Sequence, residues 1–192
     1  MKTFLKTLRQ SAITYLLMFL LCGVLYPLAV TFAAQAIFPA EAEGSLVRVA
    51  GRVVGSSLLA QSFTDSRAFH SRPSACGYGT MSSAASNAGP TSGALRTAID
   101  ARAAAIDGGD TNQSRRLIPA HLLTASGSGL DPHLPPQAVL YQLERVTAAR
   151  GWTADEKERA AKTIHRLTEP RVLGIFGEER VNILRLNMEL GR

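Results

Sequence analysis

The residue types of a serine hydrolase lie close together in one short stretch of this chain. Ser126 and Ser128 carry possible nucleophiles, and Asp131 and His133 carry a carboxylate and an imidazole of the kind that activates them. Members of a catalytic triad normally converge from separate elements, which residues within one run of eight rarely do. The Gly-x-Ser-x-Gly elbow is also absent at both serines. An exported, membrane-anchored hydrolase using Ser126 or Ser128 with His133 is therefore the weaker of two hypotheses.

The same stretch is better explained as a backbone turn. Gly127 and Gly129 alternate with the serines, and Asp131 precedes a proline, a combination that favours sharp turns. Free N–H groups in such a turn can bind an anion or a carbonyl of a partner protein. We therefore expect partner contact here rather than catalysis.

Metal, nucleotide and nucleic-acid sites find no support in the remaining sequence. There is no His-Glu-x-x-His motif and no pair of neighbouring cysteines, so a metal site is not indicated. No Gly-x-x-x-x-Gly-Lys-Ser/Thr loop occurs, so no cofactor, ATP included, is bound by a motif of the chain itself. The net charge is +6, but basic and aromatic residues do not interleave, which argues against a nucleic-acid partner. The scattered histidines, which we expect to be structural or exposed, are His70, His121, His133 and His165.

The elements that must position these residues begin with a long apolar stretch. From Gln10 to Ala40 there are 31 consecutive uncharged residues. A bilayer core about 30 Å thick needs about 20 apolar residues in a helix. The pattern predicts a transmembrane helix over residues 11–38, between a basic N-terminus of residues 1–10 and a domain of residues 39–192. Because basic residues beside a first span are retained in the cytoplasm, we expect a single-pass membrane protein in contact with lipid, with its domain outside the cytoplasm.

A cleaved signal peptide is the alternative for this stretch. Its cleavage site would be Ala34-Gln35-Ala36, but the apolar run is longer than the about 7–15 residues of a signal sequence and contains Pro27. The uncleaved anchor is therefore favoured. Cys22 lacks the preceding small residue of a lipoprotein, and Cys76 is the one cysteine of the domain, so no disulfide can form within it.

The domain is predicted to be α+β, because helices and short strands follow in irregular order. A loop over Asp65–Gly93 has no clear periodicity, and loops of that length are usually functional or disordered. Residues 181–190 fit both helix and strand, and we favour helix. The other predicted elements are strands at 45–49 and 52–55, a helix from Thr91 or Ser92 to Gly108-Gly109, a polar connection over Asp107–Arg116, a buried strand over 117–124, a helix from Pro135-Pro136 to Gly151, a helix from a capping box at Thr153–Glu156 to about Leu167, and a short strand or turn over 173–177.

Six blocks of sequence, in order along nearly the whole chain, carry a family resemblance. They are Leu25-Tyr26-Pro27-Leu28, Val54-Gly55-Ser56 with Gln61-Ser62-Phe63, residues 69–75, residues 86–90, residues 123–133 and residues 180–187. Together these blocks resemble the C subunit family of the bacterial potassium-transporting P-type ATPase, the Kdp system. The specificity lies in their order and spacing, because no single block is decisive.

The resemblance implies a noncatalytic accessory subunit that the pump needs for assembly and stability. It also implies that the subunit lies in the inner membrane, with its domain on the periplasmic side. It implies three partners: a channel-like potassium-translocating subunit, an ATP-hydrolysing P-type subunit and a very small fourth subunit. The family is described as a catalytic chaperone that raises the ATP affinity of the hydrolytic subunit. ATP and potassium are thus implied only through the complex. A periplasmic domain cannot touch a cytoplasmic nucleotide, so any effect on ATP must pass through coupled conformations.

Candidate partner-binding residues follow from the same blocks, while catalytic and metal-binding residues do not. The candidates are Tyr26, Pro27, Gln61, Phe69, His70, Arg72, Pro73, Asn87, Ser126, Gly127, Ser128, Asp131, His133, Asn182 and Asn187.

Overall fold

The chain forms two units, Met1–Leu46 and Val47–Arg192. The computed structural model describes residues 1–107 and 118–191. The predicted helix stop at Gly108-Gly109 and most of the predicted polar connection that begins at Asp107 lie outside the described residues.

The first unit is a helical run with a short helix after it. α1 covers Lys2–Phe19, a π-helical turn covers Leu20–Leu25, and α2 covers Tyr26–Ile37. Among the described residues, this run is the one helix long and apolar enough to cross a membrane. The helix also includes the basic residues that were expected to precede it. α3, Pro39–Ala42, follows directly.

The π-helical turn lies where the sequence contains a helix-breaking residue. Pro27 has no backbone N–H, and its ring clashes with the carbonyl one turn earlier in a regular α-helix. The wider backbone of a π turn, which ends at Leu25, relieves that crowding while the helix continues. One turn later, the hydroxyl of Thr31 donates a hydrogen bond to the Pro27 carbonyl at 2.8 Å.

The second unit is an α+β domain, which confirms the predicted fold class. Its first two strands pair with each other, and three shorter strands form a separate sheet. The long predicted loop contains one 3₁₀ turn, Thr80–Ser82. The elements are β1 Leu46–Val49, β2 Arg52–Ser56, α4 Gly93–Asp107, α5 Ala120–Leu123, β3 His133–Leu134, α6 Pro136–Arg150, α7 Ala154–Arg166, β4 Thr168–Glu169, β5 Arg180–Asn182 and α8 Ile183–Leu190.

The three-stranded sheet has β5 at its centre. β5 pairs antiparallel with β3, where Val181 lies opposite Leu134, and with β4, where Val181 lies opposite Thr168. Residues of α6, α7 and α8 complete the core around this short sheet. Burying one such aliphatic side chain stabilises the fold by about 1.5–3 kcal/mol. The largest side chains that are less than 2% exposed are Phe69, Leu134, Val139, Val146, Ile164, Val181, Ile183 and Leu186.

The helix ends of α6 and α7 confirm the local signals in the sequence. Gly151 ends α6 with φ +65°, a left-handed conformation that glycine adopts readily. In the capping box of α7, the N–H of Thr153 donates to the carboxylate of Glu156 at 2.8 Å. The N–H of Glu156 donates back to the Thr153 hydroxyl at 3.4 Å.

The buried strand predicted over residues 117–124 is wrong in the described part of that range. The structure has the short helix α5 there, with the Thr124 N–H donating to the Ala120 carbonyl at 2.9 Å. The buried residues Ile118 and Leu122 are four apart, a spacing that places both on one face of a strand as well as of a helix, so their burial pattern does not distinguish the two structures. Pro119 occupies the N-cap, where its missing N–H costs nothing.

The ambiguous end of the chain contains both structures. Residues Arg180–Asn182 form the central strand, and the helix begins immediately afterwards at Ile183. The preference for helix is therefore confirmed over Ile183–Leu190. The segment over residues 173–177 is a turn, closed by a bridge between Val172 and Phe176.

Candidate functional site

The backbone of the long loop is held by side chains where a sheet would use a neighbouring strand. The Asn187 amide accepts from the Phe69 N–H at 2.8 Å and donates to the Phe69 carbonyl at 2.8 Å. The Gln142 amide pairs in the same way with the backbone of His70, at 2.8 Å and 3.0 Å. We call the side chains of Gln142 and Asn187 the amide clamp. Because Phe69 is fully buried, its backbone groups need these partners.

Two arginines of α6 extend the clamp to the preceding residues. Arg145 donates to the carbonyls of Ser66 at 2.6 Å and Ala68 at 3.0 Å. Arg150 donates to the carbonyl of Arg67 at 2.7 Å. Every residue over 66–70 thus has a backbone group bound by a side chain of α6 or α8, so this part of the loop belongs to the folded body.

A third arginine joins the loop to residues 124–131, which we call the Ser-Gly turn. The guanidinium of Arg72 donates to the carbonyls of Thr124 at 3.3 Å and Ala125 at 3.4 Å. It also lies 3.4 Å from the carboxylate of Asp131. About three-quarters of the Arg72 side chain and two-thirds of the Asp131 side chain are shielded from solvent. One residue therefore connects two segments more than 50 positions apart in the sequence.

The Ser-Gly turn itself is packed closely against the long loop. The Ser126 N–H donates to the Pro73 carbonyl at 3.1 Å, which adds a backbone bond between the two segments. Gly129 has φ +69°, and a Cβ placed on it would lie 2.5 Å from the sulfur of Cys76. Only glycine fits this position, for reasons of both backbone conformation and space. The hydroxyl of Ser83 donates to the Ser128 carbonyl at 2.8 Å.

Asn182 connects the sheet to the segment after β2. Its amide oxygen accepts from the Arg185 N–H at 3.1 Å and so caps α8. Its amide nitrogen donates to the Ser57 carbonyl at 2.7 Å, and the side chain is buried. Nearby in sequence, the Gln61 amide donates to the Val54 carbonyl at 2.7 Å.

The residues of a hydrolase are present, but they do not form a catalytic arrangement. The hydroxyl of Ser126 is buried and has no hydrogen-bond partner among the described residues, and that of Ser128 accepts from the Leu130 N–H at 3.1 Å. The carboxylate of Asp131 accepts from the backbone N–H of His133 at 3.0 Å. Within residues 1–107 and 118–191, no hydrogen bond joins either serine hydroxyl to His133. Nothing in this geometry supports the hydrolase hypothesis.

The described part of the chain contains no cluster of metal-binding side chains. No group of three or more His, Cys, Asp or Glu side chains lies close enough there to hold an ion. Cys22 and Cys76 are both free, as the sequence predicted for the domain.

The candidate residues from the sequence fall into distinct places. Phe69 bonds Asn187 and His70 bonds Gln142 at the amide clamp. Arg72 and Pro73 meet the Ser-Gly turn, which contains Ser126 and Asp131. Asn182 lies apart, as the cap of α8. The rest are exposed or half-buried: Tyr26 and Pro27 in α2, Gln61 and Asn87 in loops, Gly127 and Ser128 in the turn, and His133 in β3. As contacts to a partner, all of the candidates stay predictions.

Sequence reasoning missed Gln142, Arg145 and Arg150, which hold the loop in place. The available signal was the position of Gln142 on α6, between the buried residues Val139 and Val146 of one helix face. A polar residue in an apolar stripe must find a hydrogen-bond partner, but the sequence does not say which one.

Two half-buried histidines have lowered pKa values. Burial lowers the pKa of His70 below its ordinary 6.5, and the positive charge of Arg145 lowers it further. Burial also lowers the pKa of His133, against the opposing charges of Asp131 and Glu169. Because His133 is neutral at neutral pH, its ring and the Asp131 carboxylate, 3.8 Å apart, do not form an ion pair there.

Comparison with known proteins identifies relatives over almost the full length. The family model described as "KdpC: K+-transporting ATPase, c chain" matches residues 8–192. A relative from Rhodospirillum rubrum, named "Potassium-transporting ATPase KdpC subunit", is 46% identical over 97% of this chain and 95% of its own length. Relatives with the same name from Sorangium cellulosum and Nitratidesulfovibrio vulgaris are each 47% identical. The first covers 95% of this chain and 96% of its own length, and the second covers 97% and 94%.

The amide clamp predicts a stability loss that depends on its hydrogen bonds rather than on its volume. We expect Asn187→Leu to lower the free energy of unfolding by about 2 kcal/mol or more, since both backbone groups of Phe69 lose their partner. The measurement is chemical unfolding of the full chain in detergent, followed by the fluorescence of Trp152, the sole tryptophan. Gln137→Leu, at an exposed position of α6, is the matched control and should change stability by less than about 0.5 kcal/mol. Equal effects of the two substitutions would contradict the clamp.

The lowered histidine pKa values predict a loss of stability on mild acidification. In the unfolded state the two histidines bind protons near pH 6.5, and in the folded state they bind them only at lower pH. The free energy of unfolding therefore has its full value above pH 6.5 and decreases as the pH falls below 6.5 toward the folded-state pKa values. The test is chemical unfolding at a series of pH values between about 7 and 5. The double substitution His70→Gln with His133→Gln should flatten this dependence, whereas His165→Gln, at an exposed position, should leave it unchanged. An unchanged slope in the double variant would show that other groups cause it.

Proposed function

Because the chain belongs to the c-chain (KdpC) family of K+-transporting ATPases, we propose that it is needed for assembly and stability of an ATP-driven potassium uptake pump. Its own role is that of a noncatalytic accessory subunit. The observation that carries the proposal is the extent of the family match, since residues 8–192 include both the apolar helix and the folded domain. The partners we propose are the channel-like subunit, the ATP-hydrolysing subunit and the very small fourth subunit.

The arrangement we propose places the domain outside the cytoplasm. Lys2, Lys6 and Arg9 precede the apolar run and Glu41 and Glu43 follow it, a charge distribution that favours a cytoplasmic N-terminus in the inner membrane. Only residues 38–45 lie between the helical run and β1 in the sequence, so the helix tethers the domain to the membrane.

A raised ATP affinity of the hydrolytic subunit then arises through coupled conformations. A periplasmic domain that binds one state of the pump more tightly shifts the whole pump toward that state. The affinity for ATP changes with it, by a factor set by the coupling free energy. No nucleotide contact by this chain is needed.

The assembly role predicts a defined result when the chain is removed. Membranes from cells that lack this chain should lose potassium-stimulated ATP hydrolysis, and the other pump subunits should no longer copurify as one complex. Reintroducing the chain should restore both. Normal assembly and normal potassium-stimulated hydrolysis without the chain would contradict the proposal.

The same assay separates the accessory role from a hydrolase. The double substitution Ser126→Ala with Ser128→Ala should restore the pump as well as the native chain does. Replacing the unpartnered Ser126 hydroxyl by a methyl group removes a buried polar atom and should not weaken the fold. Loss of function in a folded double variant would favour the hydrolase.

The sidedness of the domain predicts which cysteine is labelled from outside. Met81 is 99% exposed, so Met81→Cys in a chain with Cys22→Ser and Cys76→Ser offers one accessible thiol. A membrane-impermeant maleimide should label it in cells stripped of their outer membrane. Lys6→Cys in the same background should react only after the membrane is made permeable. The reverse pattern would place the domain in the cytoplasm and allow direct contact with ATP.

A further inference from the structure

One turn of the domain exposes four large apolar side chains. The turn covers residues 172–176, between β4 and β5, and we call it the apolar turn. Val172 is 56% exposed, Leu173 84%, Ile175 72% and Phe176 63%. Contiguous exposed apolar residues of this kind mark surfaces that bind another protein, a membrane or a ligand.

The backbone of the apolar turn is already fixed without a partner. The N–H of Val172 donates to the Phe176 carbonyl at 2.9 Å, and the N–H of Phe176 donates to the Val172 carbonyl at 3.0 Å. The tip has Leu173 at φ +54° and Gly174 at φ +73°. A leucine in the left-handed region is disfavoured, and such strain is concentrated at functional positions.

The base of the turn is fixed by the sheet and by an ion pair. Glu169 of β4 lies opposite Arg180 of β5, and their side chains lie 2.9 Å apart. A preformed turn loses little conformational freedom when it binds, so its exposed side chains can act directly as anchors.

Charged residues of both signs surround the apolar side chains. Arg171 precedes the turn, and Glu178 and Glu179 follow it. Within the described residues, neither glutamate forms an ion pair. These three residues line a groove of about 630 Å³ between the turn and the starts of α5 and α6. An apolar centre with a polar rim is the pattern of a protein–protein interface.

We propose that the apolar turn docks into an apolar pocket with a basic rim on another chain of the potassium pump. The basic rim complements Glu178 and Glu179, which form no ion pair within residues 1–107 and 118–191. This inference rests on the proposed function, because it requires the other chains of the pump.

Two other occupants fit the observations less well. Insertion of the turn into the bilayer would bring the carboxylates of Glu178 and Glu179, which follow Phe176 by only about 7–10 Å of extended chain, to the edge of the apolar layer, where a charge is costly. A second copy of the chain would bury only two five-residue turns, whereas a stable interface buries about 1,200 Å² or more. A turn that enters a concave pocket completes a larger interface instead.

Removing the apolar anchors tests the docking. We expect Ile175→Ser with Phe176→Ser to reduce recovery of the other pump chains with the tagged full chain by about tenfold or more, as for truncated interface anchors. Met81→Ser removes an equally exposed apolar side chain elsewhere and should leave recovery unchanged. Both variants should unfold at the denaturant concentration of the native chain, because their changed residues are exposed. Normal recovery with the turn variant would overturn the proposal.

Charge reversal tests the basic rim. Glu178→Lys with Glu179→Lys should weaken recovery at low salt and regain part of it at high salt, because salt screens the new repulsion. Recovery that is insensitive to both substitutions would exclude a basic rim.

A labelled turn distinguishes the possible occupants. Ile175→Cys, with Cys22→Ser and Cys76→Ser, carries an environment-sensitive fluorophore on the full chain in liposomes that contain anionic lipid. We expect a blue shift only when the other pump chains are reconstituted with it. A blue shift in liposomes with this chain alone overturns the proposal, and its loss on dilution to one chain per liposome would then assign the contact to a second copy rather than to lipid.

The same series separates this inference from the proposed function. If pump assembly fails without the chain but proceeds with the turn variant, the accessory role stands and the docking site lies elsewhere. If the pump assembles without the chain at all, the proposed function fails and the docking proposal fails with it.

Discussion

The constraint on which this domain depends is that buried backbone groups must be paired. The segment over residues 66–70 passes beside the core without forming a strand of either sheet, and Phe69 lies fully inside. Its N–H and C=O groups would remain unpaired if α6 and α8 presented only apolar side chains. Amide side chains can pair with both groups because each has N–H donors and a C=O acceptor, as a neighbouring peptide group does. Asn187 and Gln142 therefore hold the loop as a strand would, at two consecutive residues.

The local parts of the fold were predictable because their causes are local. The capping box at Thr153, the left-handed glycine at 151 and the apolar spacing of α6 each act within a few residues, so the sequence alone reveals them. The error over residues 117–124 has the opposite origin. A short apolar run has no period of its own, and only the three-dimensional surroundings decide between helix and strand.

The contacts of the candidate site depend on pairs that are distant in sequence. Gln142 and His70 are 72 residues apart, and Asn187 and Phe69 are 118 apart. No periodicity carries that information. The family resemblance did select Phe69, His70, Asn182 and Asn187 as candidates, but it gave no reason for any of them. The structure supplies one for each, since these residues determine where the loops lie.

A subunit without a catalytic site still needs a rigid frame, and β5 with α8 forms it. Asn182 binds the segment after β2, Asn187 binds the long loop, and the Ile183 N–H donates to the Pro132 carbonyl at 3.0 Å beside the Ser-Gly turn. The apolar turn leads directly into the same β5. Contact at the turn therefore acts on an element that is already joined to three loops of the domain. Little binding energy is lost to ordering those loops, and more of it remains to favour one state of a bound partner.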